Sequence, residues 1–323
     1  MVPTRQEHGQ SEFQLPPNND NERIVVTGMS GLFPKSTSVQ EFSDILYNKV
    51  NPISTDDQRF TFDHPELVPF TGNVPDVNQF DAQFFKVNFR QACTMDAMSR
   101  KILEQAYQAI YDAGLNPEEL SGTNVGVFVG AYFSETDKSC LYDNHVVTGF
   151  GIAGVVPIST DGKTFSFDER AQGCARSEAI NVLFLQKAKN ALRIYADVLH
   201  VKSEYVGMMT EHMSPKFGFY RDLNNTIDFL KTFYKEAGIS ADAIEYFEAF
   251  GCADPEVDKV ELQAIQELFC KNRDNKPLLI GSVMSNIGYG GAASGLSAIT
   301  KVLLGYHNGK LAANLHCGQP RKV

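Results

Sequence analysis

The sequence lacks several features that would each assign the protein to a particular class. No stretch approaches twenty apolar residues, so no segment is predicted to span a membrane. Basic residues are in the minority, with 29 Lys and Arg against 39 Asp and Glu and a formal net charge of −10. Because a protein that binds phosphates needs a basic face, this balance argues against nucleic acid and anionic membranes as partners.

Cysteine is present, but never in the C-x-x-C spacing that is typical of zinc sites. The first 21 residues are polar and carry no apolar block of a secretory signal, and they predict a flexible lead. Reduced thiols, a cytoplasmic location, no metal and no cofactor are therefore expected. The thiols are scattered along the chain, at Cys93, Cys140, Cys174, Cys252, Cys270 and Cys317.

What the chain does contain is an alternation of strand-like and helical segments. A composition of 43% hydrophobic and 21% charged residues is typical of a globular protein. Strands are predicted at 23–27 (buried and parallel), 124–130 (buried), 194–201, 244–247 and 278–282, and a strand with a helix start at 177–189. Helices are predicted at 38–49, 98–113, 225–237, 257–269 and 291–304, with an extended excursion at 51–90. This alternation predicts a layered α/β fold.

Two glycine-rich turns could in principle hold an anion. Gly28 and Gly31 follow the first predicted strand, but the G-x-G-x-x-G pattern of a phosphate cradle is absent. The glycines at 288, 290 and 291 open a predicted helix, where backbone N–H groups could bind an anion. Close packing of a helix start on a sheet is the favoured interpretation of the second turn.

A Cys–His nucleophile pair has little support in the sequence. Cys252 lies just after the strand predicted at 244–247, but Phe250 offers no base and Asp254 would raise the pKa of the thiol. An incidental thiol is the favoured interpretation. No histidine lies in a glycine-framed turn at the end of a strand; they are His8, His64, His145, His200, His212, His307 and His316.

Six runs, in order along residues 22–317, together carry a family resemblance. They lie at 24–34, 80–85 with 95–100, 166–168 with 173–179, 245–251, 281–288 and 314–316. They resemble the β-ketoacyl synthase, or condensing, domain of animal-type fatty acid synthases and polyketide synthases. The resemblance implies a thiolase-like layered α/β fold with two related βαβ halves, at 22–201 and 202–323, after the lead at 1–21. It also implies acyl substrates carried on the phosphopantetheine of an acyl carrier protein.

The residues that the resemblance would assign to chemistry are replaced. In the family a cysteine carries the acyl chain, two histidines stabilise the enolate and the oxyanion, and a lysine tunes the site. Here Phe250 stands at the first histidine, Met284 at the lysine and Tyr289 at the second histidine. A Thr-Gly-Thr run reads Cys-Ala-Asp at 252–254, and the nucleophile turn is missing. No intact catalytic residue is therefore predicted.

Central strands of the first half are expected to be missing, because several dozen family residues are absent around 143–147. The last strands of the second half are also expected to be missing, since the chain stops at Val323. The absent block would carry much of the family's homodimer contact, so that interface is in doubt. Buried strand edges would become exposed and favour aggregation, unless the remaining sheet rearranges.

The resulting prediction is a catalytically inactive ketosynthase-like protein of the fatty acid synthase family. An acyl carrier domain or a full-length synthase is the expected partner. Three alternatives remain: a pseudo-subunit that pairs with an intact synthase, an acyltransferase that acts through Cys252 with Tyr289, and an incomplete chain without function.

Overall fold

The computed structural model of the protein describes residues 22–55, 68–131, 157–205, 218–271, 273 and 276–322. Within these ranges the strands form three sheets, β4-β1-β5, β2-β3 and β6-β7. The elements are β1 (Ile24–Leu32), α1 (Val39–Tyr47), β2 (Thr71–Gly72), α2 (Phe89–Thr94), α3 (Ala97–Asp112), β3 (Arg176–Ser177), β4 (Ile180–Lys187), β5 (Ala196–Asp197), α4 (Leu223–Ala237), β6 (Tyr246–Glu248), α5 (Pro255–Ile265), β7 (Leu279–Gly281), α6 (Met284–Ile287) and α7 (Ser294–Asn308). The predicted layered α/β arrangement is confirmed.

The first strand, β1, runs through both glycines that were expected to end it. It pairs antiparallel with β4 and with β5, and its register shifts between Val26 and Gly28. A Cβ atom at Gly28 would lie 2.0 Å from the backbone oxygen of Ala109 in α3, so only glycine allows the helix to pack directly on the strand. The strand is buried as predicted, but its predicted parallel pairing is wrong. The structure also agrees with the low weight given to a phosphate turn at Gly28 and Gly31, since both glycines lie within the strand.

Helices α1 and α3 pack against this strand. α1 follows the N-cap Ser38, whose side chain accepts a hydrogen bond from the backbone of Glu41, and it buries Phe42 and Leu46. The buried stripe of α3 is partly polar. It consists of Lys101, Gln105 and Ala109, with Ala113 buried at the C-cap, whereas Leu103 is 38% exposed. Polar contacts with β1 orient the helix, because Ser30 Oγ donates to the backbone oxygen of Gln105 and the Met29 N–H donates to Asp112.

Residues 124–130, predicted as a buried strand, are exposed and pair with no strand of the described chain. Val127 is 80% exposed and Phe128 98% exposed. The prediction is wrong, for a physical reason. A run that is apolar on both faces is typical of a strand buried between two layers, but such a strand needs neighbours on both sides. Within the described ranges no strand supplies the hydrogen bonds or the covering side chains.

The second half is built around β6 and β7, which pair in parallel from Tyr246 to Glu248 against Leu279 to Gly281. α4 ends at Gly238 in the left-handed region (φ +66°), as predicted. α5, β7 and α7 also lie close to their predicted positions. Two predictions are only partly right: β5 is shorter than 194–201, and 177–189 is mostly strand rather than a helix start.

The largest apolar cluster joins residues from both predicted halves. Phe33 and Phe42 stack within it, with ring centroids 3.8 Å apart, and Leu303 and Leu304 of α7 are buried in the same cluster. The predicted boundary at 201/202 is not tested by these contacts and stays a prediction. Among the helices of the described ranges, none is long and apolar enough to cross a membrane.

Candidate functional site

The turn that follows β6 carries the first candidate position, Phe250. Backbone conformations that L side chains rarely adopt shape this turn, at Gly251 (φ +53°) and at Ala253 (φ +59°). Asp254 then caps α5 by accepting hydrogen bonds from the Glu256 and Val257 N–H groups. The left-handed backbone at Gly251 and Ala253 and the cap at Asp254 therefore fix the shape of this turn.

A half-buried carboxyl group, that of Glu261, accepts hydrogen bonds from the backbone of this turn. The N–H of Phe250 donates to Glu261 Oε1 at 2.7 Å, and that of Gly251 donates to Glu261 Oε2 at 3.0 Å. Burial raises the pKa of Glu261, and the two N–H donors oppose that shift. These two backbone donors are consequently committed to Glu261 and do not point at a ligand.

The second candidate turn contains Met284 and Tyr289. Ser285 and Asn286 hold it to the C-terminal segment: the Leu315 N–H donates to Ser285 Oγ at 3.2 Å, and Asn286 Nδ2 donates to the Ala313 oxygen at 2.9 Å. These two side chains therefore hold the turn in place.

The glycines of this turn pack against neighbouring residues and do not form an anion-binding site. A Cβ atom at Gly288 (φ +78°) would lie 2.7 Å from the backbone oxygen of Ala175. The Tyr289 N–H donates to the same oxygen at 2.8 Å, and the Gly290 N–H donates to Ser294 Oγ at 3.0 Å. Because these backbone donors have internal partners, the structure favours the packing interpretation over an anion site.

The two turns meet in one apolar cluster. The ring centroids of Phe219 and Phe250 are 5.1 Å apart, those of Phe219 and Tyr289 are 5.8 Å apart, and those of Phe250 and Tyr289 are 6.4 Å apart. All three pairs are edge-to-face, the geometry that aromatic rings prefer. Met284 and Cys252 are buried in the same cluster, so all three candidate positions converge.

The two thiols of the cluster, Cys174 and Cys252, are each only 1% exposed. Burial raises the pKa of Cys174 to about 12. Burial and, next, the charge of Asp258 raise the pKa of Cys252 far above its usual range. Since the thiolate is the nucleophilic form, neither thiol is activated in this arrangement.

Asp258 on α5 is a titratable group that no sequence pattern singled out. It is fully buried, accepts a hydrogen bond from the Phe167 N–H at 3.0 Å, and leaves Oδ1 unpaired among the described residues. Burial raises its pKa to about 7. Perturbed carboxyls often mark functional sites. Here full burial causes the raised pKa of Asp258. The charge of Asp258 in turn disfavours the thiolate form of Cys252.

A buried ion pair joins α7 to β6, the strand that precedes Phe250. Lys301 Nζ of α7 lies 3.1 Å from Glu248 Oε2, and both side chains are almost fully buried. Glu248 also accepts hydrogen bonds from the Val283 N–H and the Tyr246 hydroxyl. The pair therefore ties α7 to the strand that leads into Phe250. Burial lowers the pKa of Lys301, and Glu248 opposes that shift.

The remaining ionisable residues considered from the sequence lie elsewhere. His200 contacts Glu236 at 3.2 Å, and His316 packs edge-on against Phe165. No group of three or more metal-ligating side chains occurs in the described ranges. Several candidates fall outside these ranges, namely His8, His64, His145, His212 and Cys140.

The fold of the described chain is that of ketosynthase domains. It matches the ketosynthase of module 6 of the bacillaene synthase from Bacillus subtilis 168 with a TM-score of 0.78 and 24% identity, covering 93% of this chain and 64% of that chain. The oxazolomycin ketosynthase domain OzmH KS7 of Streptomyces albus JA3453 matches with a TM-score of 0.78 and 21% identity, covering 93% and 66%. These two similarities assign the chain to the ketosynthase class of fold.

Sequence comparisons define the family. Residues 21–157 match the N-terminal domain of β-ketoacyl synthases and residues 203–318 match the C-terminal domain. A fatty acid synthase of Anser anser anser is 30% identical, covering 89% of this chain and 99% of that sequence. The chain belongs to the β-ketoacyl synthase family. A highly reducing polyketide synthase of Didymella fabae is 25% identical and is covered over only 20% of its length.

The alignment with the goose protein also bears on the missing block. The alignment is 357 positions long. It includes 89% of the 323 residues of this chain, which is about 287 residues. About 70 aligned positions therefore have no counterpart in this chain. The chain spans slightly less than two thirds of the bacillaene ketosynthase. Both figures agree with the prediction that family residues are absent from this chain.

Proposed function

We propose that this chain is a ketosynthase-type domain of the fatty acid synthase family that does not condense acyl groups. One observation carries the proposal: Phe250 and Tyr289 meet edge-to-face over a cluster that buries Met284 and Cys252. In the family resemblance, three of these positions belong to the histidines and the lysine of the reaction. The space that the condensation reaction requires is filled by side chains that stabilise the fold.

The physical argument concerns oxyanion stabilisation. Condensation develops negative charge on oxygen, and donors must be aimed at that charge. A phenylalanine ring has no donor, and the N–H groups of Phe250 and Gly251 already bind Glu261. Losing a single oxyanion donor costs about 2.7–4 kcal/mol of barrier. Phe250 accounts for one such loss, and the missing nucleophile adds to it.

The second argument concerns the nucleophile. An acyl-enzyme requires a thiolate that the substrate can reach. Cys252 is almost fully buried and its pKa is raised. Acyl transfer through Cys252 with Tyr289 is therefore disfavoured, although both residues lie in the same cluster. Labelling of Cys252 by a cysteine-directed inhibitor of condensing enzymes, lost in Cys252→Ala, would revive that alternative.

We further propose that the chain acts without a cofactor and uses its retained surface to contact a carrier domain or a full-length synthase. Support comes from the polyketide synthase relative, of which this chain covers only 20%, because the matched region is part of a much larger multidomain enzyme. Co-purification with a full-length synthase would support a pseudo-subunit role. A monodisperse monomer that binds neither partner would contradict it.

Condensation is tested with radiolabelled acyl-CoA and a malonyl-loaded carrier protein. An intact ketosynthase domain at the same concentration serves as the positive control. We expect no labelled condensation product from this chain under conditions in which the control turns over many times. Product formation above the enzyme-free background would contradict the proposal.

A further inference from the structure

A cleft that shares no residue with the aromatic cluster lies where the segment at 163–170 meets the segment at 314–318. Its volume is about 410 Å³, which is within the range of small-ligand sites. The inference drawn from this cleft does not depend on the function proposed above.

The only charges among the described residues that line this cleft are positive. Lys163 and Arg170 are exposed, and no carboxylate belongs to the lining. Burial and then the charge of Lys163 lower the pKa of His316, so its ring is neutral at pH 7. The other lining residues are Phe165, Asn314, Cys317 and Gly318. In a chain of net charge −10, a cleft lined in this way favours an anion.

Arg170 is held in a fixed position at the cleft. Its Nε and Nη2 donate to the two oxygens of Asp168 at 2.7 and 2.9 Å, and Nη2 also donates to the His316 backbone oxygen at 3.1 Å. The guanidinium carbon lies 4.7 Å from the ring centroid of Phe165. Asp168 itself is fully buried and lies outside the lining. Nη1 has no partner in the described chain, so it remains available to a ligand.

Asn314 contributes an amide of known orientation. Its Oδ1 accepts a hydrogen bond from the Ser282 N–H at 2.9 Å, and only the oxygen of an amide can accept. The nitrogen Nδ2 therefore lies on the other side of the group. It donates to no residue of the described chain and keeps contact with solvent. An oriented donor of this kind costs little to order when a ligand binds.

Lys163 supplies the third donor. Its backbone N–H donates to Ser159 Oγ and to Asp161 Oδ1, both at 3.1 Å, which anchors the chain at this edge of the cleft. Its Nζ lies 3.7 Å from Asp161 Oδ2, beyond hydrogen-bond distance. Because such an exposed pair contributes little free energy, the ammonium group can turn towards a ligand at small cost.

The charges and the number of donors select the kind of anion. A carboxylate has one charge and two oxygens, whereas a phosphate monoester has a charge of about −1.5 to −2 at pH 7 and three acceptor oxygens. Guanidinium and ammonium groups both bind phosphate well. Two cations and an amide N–H therefore match a phosphate better than a carboxylate.

We propose that this cleft binds a phosphate group, which accepts hydrogen bonds from Arg170 Nη1, Asn314 Nδ2 and Lys163 Nζ. Inorganic phosphate and the phosphate monoester of a small organic molecule share this chemistry, and the experiment separates them.

Binding is tested by titration calorimetry on the full chain, with inorganic phosphate and with glycerol 3-phosphate. We expect saturable binding that weakens as sodium chloride is raised. The tighter of the two ligands identifies the source of the phosphate group. Acetate is expected to bind at least about tenfold more weakly than either. Acetate binding as tight as that of phosphate, or no saturation by either phosphate ligand, would overturn the proposal.

The ring of His316 reports where the phosphate binds, because this residue lines the cleft. In a proton–carbon correlation spectrum at constant pH, its ring resonances should shift along the same saturation curve. The rings of His200 and His307 lie outside the lining and should not shift. Shifts confined to His200 or His307 would overturn the proposal.

Three variants test the assigned donors. Asn314→Asp keeps the acceptor for Ser282 but replaces Nδ2 with a negative oxygen, and it is expected to weaken phosphate binding at least about tenfold. Lys163→Met removes an exposed cation and should weaken binding about fivefold. Lys189→Met makes the same change at an exposed position outside the lining and should bind as the parent chain does. Circular dichroism verifies that each variant is folded. Equal affinity in Lys163→Met and Lys189→Met would overturn the proposal even if Asn314→Asp failed to fold.

Discussion

The rings of Phe250 and Tyr289 lie 6.4 Å apart, centroid to centroid, at an interplanar angle of 84°. They come from two turns that are 39 positions apart in the chain, each fixed by its own backbone contacts. Where the family resemblance places two imidazole rings, this chain has an aromatic pair that buries apolar surface. The predictions that follow concern the energetic consequences of this replacement.

Restoring one imidazole is expected to destabilise the chain rather than to activate it. Phe250→His places a polar ring among Phe219, Met284 and Cys252, where an unsatisfied ring nitrogen costs about 1–3 kcal/mol. Urea unfolding measures the loss of stability. Phe128→His, at a site that is 98% exposed, is the matched control and should change stability by less than about 0.5 kcal/mol. Unchanged stability together with measurable condensation in Phe250→His would contradict the account.

The buried pair between Lys301 and Glu248 is expected to be costly to break. Lys301→Met leaves the Glu248 carboxylate without its cation, which typically costs about 3–5 kcal/mol. The control is Lys271→Met, which breaks an exposed pair with Glu267 and should cost about 0.3–0.5 kcal/mol. Equal free energies of unfolding for the two variants would show that the buried pair contributes no more than an exposed one.

Asp258 is expected to make the chain less stable at alkaline pH. Its pKa rises from 3.8 to about 7 on folding, so the folded state favours the protonated form. The associated stability is fully present below about pH 4 and is lost as the pH rises through about 7. Asp258→Asn removes this dependence and should stabilise the chain at pH 8 by about 2–4 kcal/mol relative to the parent.

Thermal unfolding from pH 5 to pH 8 measures this effect. Asp44→Asn, at an exposed position on α1, is the control. It should show the same dependence of thermal stability on pH as the parent chain. A profile for Asp258→Asn that runs parallel to the parent's would show that Asp258 is not the group responsible.

The exposed run at 124–130 is expected to cause self-association. It is apolar, uncharged and unpaired within the described chain, which are the properties of an aggregation-prone strand edge. Val127→Lys should raise the concentration at which light scattering begins. Val201→Lys is a close match, since Val201 is 79% exposed against 80% for Val127, and it lies between His200 and Lys202. An equal effect of both substitutions would show that added charge, rather than this run, controls association.

Local signals in the sequence predicted the elements whose ends are set locally. Ser38 caps α1 and Gly238 ends α4, because capping depends on neighbouring residues alone. The pairing of β1 could not be predicted in the same way, because its partner β4 lies some 150 residues further along the chain. The run at 124–130 was misjudged because its composition is that of a strand between two neighbours, and no strand of the described residues pairs with it.

The candidate site was predictable only through the family resemblance. Phe250, Met284 and Tyr289 carry no local signal, yet the structure brings them together. Asp258 and Glu261 were missed, because acidic residues on a helix are usually exposed and nothing in the pattern marks Asp258 as buried or Glu261 as half-buried. Cys252 was rightly given no base or cation, and its burial adds a stronger reason for inertness.

The most direct test of the central claim is the intact mass of the chain after incubation with acyl-CoA. The account predicts no acyl adduct on Cys252 or Cys174 at neutral pH, because both thiols are buried and protonated. An intact ketosynthase domain treated in parallel should gain one acyl group. A stoichiometric acyl adduct on this chain that disappears in Cys252→Ala would contradict the claim that its condensing site is filled by apolar packing.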